Sequence, residues 1–337
     1  MSIAEKERSY IFNTYNRLAG ITPYFVKGEG VYLWDDKGKK YLDFLAGLAV
    51  NSLGHCYPSV VKAISDQAEK LLHTSNLYYT EPQVTLAQML VESGAGEKVF
   101  FANSGAEANE AAIKLARKHA RLKGRENSFT IITALNSFHG RTMATLTATG
   151  QKKYQIHFTP TLPGFKYAPF NNLDAFAKMI DETTCAIMVE PLQGEGGVYV
   201  AESSFLTGLR ELCDRHNLLL IFDEVQCGLG RTGTLFAWQH FGVKPDIITL
   251  AKALGGGLPI GAMLARGKAA KAFAPGDHAS TFGGNPVTCA AAIAVLREIS
   301  KPAFLAEVKE KGAQLERGFM ALKEKYPAFV KEVRGLG

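Results

Sequence analysis

Six short runs of apolar residues between about residues 98 and 265 constrain the fold of this chain more than any other feature. Each run is only a few residues long, and a segment with helical periodicity separates it from the next. The runs are Val99–Phe101, Phe129–Ile132, Ala186–Val189, Leu218–Phe222, Ile247–Leu250 and Gly261–Ala265. Continuous apolar strands that alternate with helices predict an α/β fold, in which helices cover both faces of a mainly parallel sheet.

Two segments carry the signature of a helix start. Ser104 and Glu107 have the spacing of a capping box ahead of an apolar stripe, and Thr80 and Gln83 repeat that spacing. In parallel sheets, ligands gather at the carboxyl ends of the strands. We therefore expect functional residues in the loops that follow the apolar runs.

The two ends of the chain have a different pattern. Gly30–Trp34 is strand-like and precedes a turn at Asp35–Gly38, which predicts a hairpin outside the main sheet. After Pro286 the pattern predicts helices over 287–299 and 304–325. The final residues, AFVKEVRGLG, resemble the beginning of a strand.

Composition excludes several classes of protein. The 337 residues, 47% of them hydrophobic, are enough to bury a large core, and the net charge of +6 is mild. The densest basic region, Lys114 to Arg125, has no interleaved aromatic residues. We interpret it as a solvated helix face, because a nucleic-acid site would carry a binding motif.

The sequence also bears on location and redox state. No uncharged apolar run approaches the roughly 18 residues of a membrane span, and the start MSIAEKERSYIF lacks the layout of a secretory signal. We expect no membrane partner and a cytoplasmic location. The five cysteines are scattered and form no metal-binding spacing, so we predict reduced thiols and no metal site.

One glycine motif requires an alternative to be weighed. Gly228–Gly233 matches the G-x-G-x-x-G fingerprint of dinucleotide-binding proteins. However, the motif does not follow its strand directly, no helix opens on it, and Lys252 stands where the fingerprint needs an acid. The pattern therefore disfavours a nicotinamide dehydrogenase.

Lys252 is the first candidate catalytic residue. It lies in TLAKALGGGLPIG, just after the run Ile247–Leu250, where a strand should leave the interior. Burial lowers the pKa of a lysine towards the neutral amine, which is a nucleophile. Asp223 ends another run, at the carboxyl end of a predicted central strand, although an isolated aspartate there is usually a turn-capping residue.

Two further loops could complete a cofactor site. Small residues in NSGAEANEAAIK (103–114) would expose backbone N–H groups at a helix N-terminus, which suits a phosphate, although an ordinary capping box explains Ser104 and Glu107 equally well. Phe138–Arg141 could supply a stacking ring and a guanidinium that clamps a carboxylate. A nucleophilic lysine, an acid, a phosphate cradle and a stacking group together point to pyridoxal phosphate.

The chain resembles the class III aminotransferases of the ornithine and acetylornithine type, which are fold-type I pyridoxal-phosphate enzymes. The resemblance covers nearly the whole chain and rests on motifs that include FFANSGAEANEAAIKLAR, FHGRT, EPLQGEGG, FDEVQCGLGRTG, LAKALGGGLPIGA and HASTFGGNP. It implies a large domain with a mainly parallel seven-stranded sheet sandwiched by helices, plus a small α+β domain. The predicted division is an N-terminal segment of the small domain at 1–57, a large cofactor-binding domain at 58–285, and a linking helix with the start of the C-terminal small domain at 286–337.

The resemblance also implies roles at matching positions. Lys252 would be the Schiff-base lysine and Asp223 the partner of the pyridine nitrogen. Ser104, Gly105 and Ala106 would bind the phosphate, together with Thr281 from the second subunit of a homodimer. Phe138 and Val225 would lie on the two faces of the ring, and Gln226 would lie near the ring hydroxyl. Arg141 would grip the substrate α-carboxylate, and Glu195 would pair with a second arginine and release it when glutamate binds.

Within the family, residues 149–173 most resemble members that transfer the δ-amine of N2-acetyl-L-ornithine to 2-oxoglutarate, yielding N-acetyl-L-glutamate 5-semialdehyde and L-glutamate in arginine biosynthesis. Ornithine, succinylornithine, succinyldiaminopimelate and 4-aminobutyrate remain alternative substrates, and a cofactor-binding protein without turnover is an alternative from another class. The family continues beyond the RGLG motif with a small-domain sheet that carries the second carboxylate-binding arginine. Arg334 matches the start of that sheet and is not that arginine, so we expect the small domain to be truncated at Gly337.

Overall fold

The structure, a computed structural model, describes residues 1–18 and 20–337. Its strands form a three-stranded sheet (β1–β3), a seven-stranded sheet and a two-stranded ribbon (β8 and β9). The bounds are β1 Phe25–Glu29, β2 Tyr32–Asp35, β3 Lys40–Leu42, β4 Lys98–Ala102, β5 Thr130–Ala134, β6 Phe165–Ala168, β7 Thr184–Val189, β8 Leu192–Gln193, β9 Tyr199–Val200, β10 Leu219–Asp223, β11 Ile247–Leu250 and β12 Gly261–Ala265.

The seven-stranded sheet has the order β4-β12-β11-β10-β7-β5-β6. Strand β12 runs antiparallel to both of its neighbours, and the other adjacent pairs are parallel. This confirms the predicted mainly parallel sheet. Six of its strands coincide with the six apolar runs, whose ends shift by only a residue or two.

Strand β6 has no counterpart among the apolar runs. Its sequence is Phe-Lys-Tyr-Ala, and it lies at the edge of the sheet, where only its last residue is buried. An edge strand needs less apolar surface than a central one. Lys166 forms an ion pair with Asp181, with Nζ and Oδ2 2.5 Å apart, which balances its charge.

Helices cover both faces of this sheet, as predicted. The helical segments of the described residues, not all of which contact the sheet, are α1 Ile3–Tyr10, α2 Ala46–Ala49, α3 Pro58–Ala68, α4 Glu81–Glu92, α5 Gly105–Leu122, α6 Met143–Ala148, α7 Lys152–Gln155, α8 Leu173–Met179, α9 Ser203–His216, α10 Pro286–Ile299 and α11 Pro302–Lys325. Along β7, Ile187 joins one apolar core and its neighbours Ala186 and Met188 join the other. Successive strand residues point to opposite faces, so each face packs its own layer of helices.

The two predicted capping boxes do not form as expected. Ser104 Oγ accepts from the backbone N–H of Glu107 at 3.1 Å, but the Glu107 carboxylate accepts from the N–H of Asn103 at 2.6 Å, one residue earlier than predicted. At the start of α4, Thr80 makes no side-chain cap. Gln83 instead donates to Asn76 Oδ1 at 2.6 Å, since that loop lies within its reach.

The ends of the chain agree with the prediction in part. The predicted hairpin is the β2–β3 part of a three-stranded antiparallel sheet. The two predicted C-terminal helices are α10 and α11. The strand predicted at the C-terminus is wrong, because residues 330–337 pair with no other strand among the described residues. Arg334 Nε instead donates to the carbonyl of Gly197 at 2.8 Å.

The placement of the sheets is consistent with the predicted three-part division, which stays a prediction.

Among residues 1–18 and 20–337, no helix is both long and apolar enough to cross a membrane. All five cysteines are free thiols, and four of them are buried.

Candidate active site

A cavity of about 450 Å³ opens at the carboxyl ends of the parallel strands. The loops that follow β4, β5, β7, β10 and β11 all contribute to its wall. Ten of the residues predicted from the sequence line it, namely Ser104, Gly105, Ala106, Phe138, Arg141, Glu195, Asp223, Val225, Gln226 and Lys252. Its volume lies within the range of small-molecule sites.

Lys252 begins the short 3-10 helix that follows β11, in a strained backbone conformation. Its φ of 44° lies in the left-handed region that side chains other than glycine rarely adopt. Burial lowers the pKa of its ammonium below the ordinary 10.5, and this effect outweighs the nearby carboxylates of Asp223, Glu195 and Glu190. The amine is thereby biased towards its neutral, nucleophilic form.

Asp223 ends β10 and is 3% exposed. One carboxylate oxygen, Oδ2, accepts from Asn109 Nδ2 at 2.7 Å and lies 2.8 Å from His139 Nδ1. The other oxygen accepts from the N–H of Val225 at 3.0 Å. Thr249 Oγ1 in turn donates to Asn109 Oδ1 at 2.7 Å, so the carboxylate is held in a single orientation.

The N-terminus of α5 forms another part of the wall. Gly105 and Ala106 open this 18-residue helix, and the first N–H groups of a helix have no partner within it. A Cβ at Gly105 would lie 2.6 Å from Val225 Cγ1, so only glycine allows the helix to approach the loop after β10 this closely. The exposed N–H groups and the helix dipole together suit an anion.

The loop after β5 contributes a ring and a guanidinium. The N–H of Phe138 donates to Glu190 Oε2 at 3.1 Å. Glu190 is 5% exposed, and its burial, together with the Asp223 charge, raises its pKa well above the usual range. Arg141 is exposed and lines the cavity close to Phe138.

Glu195 and Gln226 meet at the cavity. Gln226 Nε2 donates to Glu195 Oε1 at 3.2 Å. Thr281, in contrast, is exposed and does not line the cavity. Its loop is tied to the start of α5 by a hydrogen bond of 3.2 Å from Asn103 Nδ2 to Ser280 Oγ.

The motif Gly228–Gly233 lies outside the cavity wall. It forms turns, and a short 3-10 helix at Ala237–His240 follows it. No dinucleotide-type helix opens on its glycines, in agreement with the sequence-based exclusion.

Four polar residues that bond to Asp223, to Phe138 or to one another were not predicted, namely Asn109, His139, Glu190 and Thr249. A signal for Asn109 was present in the sequence, because a polar residue on the apolar face of α5 needs a buried partner. His139 adjoins Phe138 in a motif already singled out, but nothing in its spacing identified Asp223 as its partner. The alternation along β11 likewise gives Thr249 no special role.

The groups that surround the cavity fit pyridoxal phosphate. The wall combines an amine biased towards neutrality, a carboxylate fixed by three donors, an aromatic ring and a helix N-terminus with free N–H groups. This donor set matches the aldehyde, the pyridine nitrogen, the ring face and the phosphate of that cofactor. The fold and the site together define a pyridoxal-phosphate enzyme of fold type I.

Comparison with known proteins identifies the family. The family model described as Aminotransferase class-III matches residues 15–337, so the chain belongs to the class III aminotransferases, which depend on pyridoxal phosphate. An acetylornithine aminotransferase of Caldanaerobacter subterraneus subsp. tengcongensis is 56% identical over 98% of this chain and 83% of its own length.

Two solved structures show the same fold. The N-acetylornithine aminotransferase of Stenotrophomonas maltophilia K279a is 41% identical, with a TM-score of 0.83 over 99% of this chain and 81% of its own. An ornithine aminotransferase of Toxoplasma gondii, described with pyridoxal phosphate partially occupying its active site, has a TM-score of 0.93 at 35% identity, over 99% of this chain and 79% of its own.

Proposed function

We propose that this chain is an acetylornithine aminotransferase, which transfers the δ-amino group of N2-acetyl-L-ornithine to 2-oxoglutarate. The products are N-acetyl-L-glutamate 5-semialdehyde and L-glutamate, as in arginine biosynthesis. The observation that carries the proposal is a cavity lined by both Lys252 and Arg141, in a chain 56% identical to an acetylornithine aminotransferase.

The cofactor would be held by the wall of the cavity. Ser104, Gly105 and Ala106 would bind its phosphate through the N-terminus of α5. The ring would lie against Phe138 and Val225, with Gln226 near its hydroxyl and Asp223 near its nitrogen. When bound, the cofactor supplies an aldehyde that condenses with amines and a ring that withdraws electrons from the substrate carbon.

Lys252 and Asp223 have complementary tasks in this proposal. As a neutral amine, Lys252 Nζ can take a proton from the carbon that bears the transferred amine and return it later. Contacts with Asn109 Nδ2, His139 Nδ1 and the N–H of Val225 hold the Asp223 carboxylate in one orientation, in which it would face the pyridine nitrogen. A carboxylate at that position would favour a proton on the nitrogen, and the protonated ring would withdraw electrons more strongly.

Arg141 and Glu195 would determine the orientation of the substrate. The Arg141 guanidinium suits the α-carboxylate of acetylornithine, and binding it there directs the distal amine towards Lys252. Glu195, exposed at the cavity, would balance a cationic partner and release it when the second carboxylate of glutamate binds.

The test is a comparison of amine donors with 2-oxoglutarate as acceptor. We expect kcat/KM for acetylornithine to exceed that for ornithine and for 4-aminobutyrate by at least about tenfold, because ornithine carries a charged α-amine in place of the neutral amide and 4-aminobutyrate lacks the α-carboxylate that Arg141 would bind. A comparison of kcat/KM for succinylornithine and acetylornithine shows whether the enzyme prefers the succinyl or the acetyl group. Equal values for ornithine and acetylornithine would contradict the proposed substrate, and Lys252→Met should abolish turnover with every donor.

We also propose a homodimer with shared active sites. Leu77, Tyr78, Tyr79 and Phe282 expose between 60% and 100% of their surface. Asn76 Nδ2 donates to the carbonyl of Ser280 at 2.8 Å, so these residues form one patch beside Thr281. An apolar patch of this kind supports an interface, from which Thr281 would reach the phosphate site of the partner subunit.

A cytoplasmic location is consistent with five free cysteines.

A further inference from the structure

Arg141 is held by aromatic rings rather than by polar partners. Its Cζ lies 4.1 Å from the centroid of the Tyr154 ring and 5.5 Å from that of Phe138. Within residues 1–18 and 20–337, its guanidinium has no hydrogen bond and no ion pair. The nearer ring, Tyr154, does not line the cavity.

Tyr154 is itself fixed in place. It belongs to α7, whose next residue, Gln155, donates from Nε2 to the carbonyls of Thr147 at 3.1 Å and Thr149 at 2.8 Å. The Tyr154 ring also contacts Phe138 edge-on, with centroids 5.9 Å apart and planes at 80°. These contacts place the half-buried ring beside Phe138, and its hydroxyl makes no hydrogen bond to any described residue.

A ring suits this position better than a carboxylate would. An arginine loses considerable rotamer entropy when it binds a ligand, unless a neighbour already orders it. A salt bridge would order the side chain but would occupy the donors that a substrate carboxylate needs. A cation–π contact orders the guanidinium and leaves all of its N–H groups free.

We propose that Tyr154 is a positioning residue that pre-orients Arg141 for the α-carboxylate of the substrate. This inference rests on the carboxylate-binding role proposed above for Arg141. Tyr154 would act only through Arg141, so its effect should appear in the affinity for carboxylate-bearing ligands and not in the chemical step.

The experiment measures binding and turnover on the holoenzyme. N-acetyl-L-norvaline keeps the carboxylate and the acetyl group of acetylornithine but has no δ-amine, so its Kd can be measured by calorimetry without reaction. We expect Tyr154→Leu to raise this Kd, and the KM for acetylornithine, by roughly 3- to 30-fold, which is the range of a cation–π contact. We expect kcat to change by less than about twofold, and Tyr154→Phe to retain the wild-type values.

A ligand without the carboxylate distinguishes positioning from general damage. N-acetyl-1,4-diaminobutane has the same amine and acetyl group, and its KM and kcat should be the same in Tyr154→Leu and in the wild type. Two controls remove comparable contacts. Lys153→Met deletes the other cation near the Tyr154 ring, at 4.8 Å, and Tyr326→Leu deletes a ring under Lys325 at 5.2 Å, away from the cavity. Neither control substitution should change the Kd of N-acetyl-L-norvaline or the KM and kcat of N-acetyl-1,4-diaminobutane.

The inference is overturned if Tyr154→Leu binds N-acetyl-L-norvaline as tightly as the wild type does. It is also overturned if the substitution raises the KM for N-acetyl-1,4-diaminobutane by the same factor as the Kd of N-acetyl-L-norvaline. Failure of Tyr154→Phe to restore affinity would also overturn it. A different result would contradict the proposed substrate, namely a higher kcat/KM of the wild type for another amino acid than for acetylornithine. In that case the same comparison, made with that amino acid and its decarboxylated analogue, still decides the role of Tyr154.

Discussion

At the scale of single residues, the site imposes different requirements on Lys252 and Asp223. Lys252 must lose its proton easily, and the Asp223 carboxylate must keep one orientation. The structure meets the first requirement by burial, which lowers the pKa of the amine, and the second by surrounding the carboxylate with three hydrogen-bonding groups. Two of these groups, on Asn109 and His139, are distant from Asp223 in the sequence.

The lowered pKa of Lys252 predicts a pH-dependent effect on stability. Between the folded-state pKa and 10.5, the unfolded chain binds more protons than the folded chain, so the cost of burying this lysine fades as pH rises through that window. We expect Lys252→Met to make the apoprotein more stable than the wild type at pH 7, with a smaller difference at pH 10. Urea unfolding at both pH values measures this.

Lys62→Met provides the control, because the Lys62 side chain is 75% exposed. Its effect on the free energy of unfolding should stay within about 0.5 kcal/mol at both pH values. A Lys252→Met advantage that grows with pH would contradict the assigned direction of the shift.

Asn109 is the second residue with a measurable role. Asn109→Ala removes a donor to Asp223 and leaves the buried Thr249 hydroxyl without its acceptor. We expect a loss of about 1–3 kcal/mol in unfolding free energy and a fall in kcat/KM, because the carboxylate loses its fixed orientation. Thermal unfolding and steady-state assays measure the two effects.

Asn172→Ala is a matched comparison for that variant. Asn172 caps α8 by accepting from the N–H of Ala175 at 3.0 Å, and it does not line the cavity. Losing the cap should cost about 1 kcal/mol of stability without changing kcat/KM. If both variants lowered kcat/KM equally, stability alone would explain the effect of Asn109.

The sequence identified Lys252 and Asp223 because each comes just after an apolar run, where polarity changes abruptly. Glu190 follows the run Ala186–Val189 in the same way, so that signal could also have identified it. His139 could not be identified, since its importance comes from its contact with Asp223 across the sheet. Residues whose role depends on their position along a strand were thus predictable. Residues whose role depends on a distant neighbour were not.

At the scale of elements, strands that form continuous apolar runs were predictable, among them the edge strand β4, whereas the edge strand β6 and the C-terminal segment were not. Central strands are buried on both faces and therefore appear as continuous apolar runs. The edge strand β6 and the predicted C-terminal strand escape this rule, because pairing at an edge depends on which other segments are available. Capping boxes fail for the same reason, since Gln83 reaches a loop that the local sequence does not reveal.

The junction of β12 with the start of α5 yields a prediction. A Cβ at Gly261 would overlap the carbonyl oxygen of Ser104, so Gly261→Ala must displace the backbone that opens α5. We expect a loss of about 1–3 kcal/mol in stability and at least about tenfold weaker binding of pyridoxal phosphate. Fluorescence titration of the apoprotein with the cofactor measures the affinity.

Gly318→Ala is the corresponding control, because it lies within α11 and a Cβ there meets no atom within 4 Å. It should stabilise the chain by up to about 1 kcal/mol and leave cofactor affinity unchanged. Unchanged affinity in Gly261→Ala would show that α5 tolerates displacement at this point.

At the scale of the whole molecule, the proposed shared site can be tested by complementation. Lys252→Met lacks the catalytic amine, and Thr281→Asp would place a negative charge beside the partner's phosphate. In a mixed dimer, one of the two sites would combine an intact Lys252 with an intact Thr281. An equal mixture of the two inactive variants, refolded together, should recover about one quarter of the wild-type activity.

Sedimentation of the unmixed variants checks that both remain dimeric. No recovered activity from a mixture that contains mixed dimers would contradict the contribution of Thr281 across the interface. Activity in the Thr281→Asp variant alone would contradict it as well.

The pairing of β4 with β12 has a consequence for how the protein is made. Ala102 of β4 pairs with Gly261 of β12, so β4, which leads into α5, can pair only after β12 has been synthesised, about 160 residues later. A nascent chain released before that partner emerges would leave β4 without its neighbour in the sheet and the N-terminus of α5 unsupported. Cofactor capture should therefore begin abruptly and late in translation.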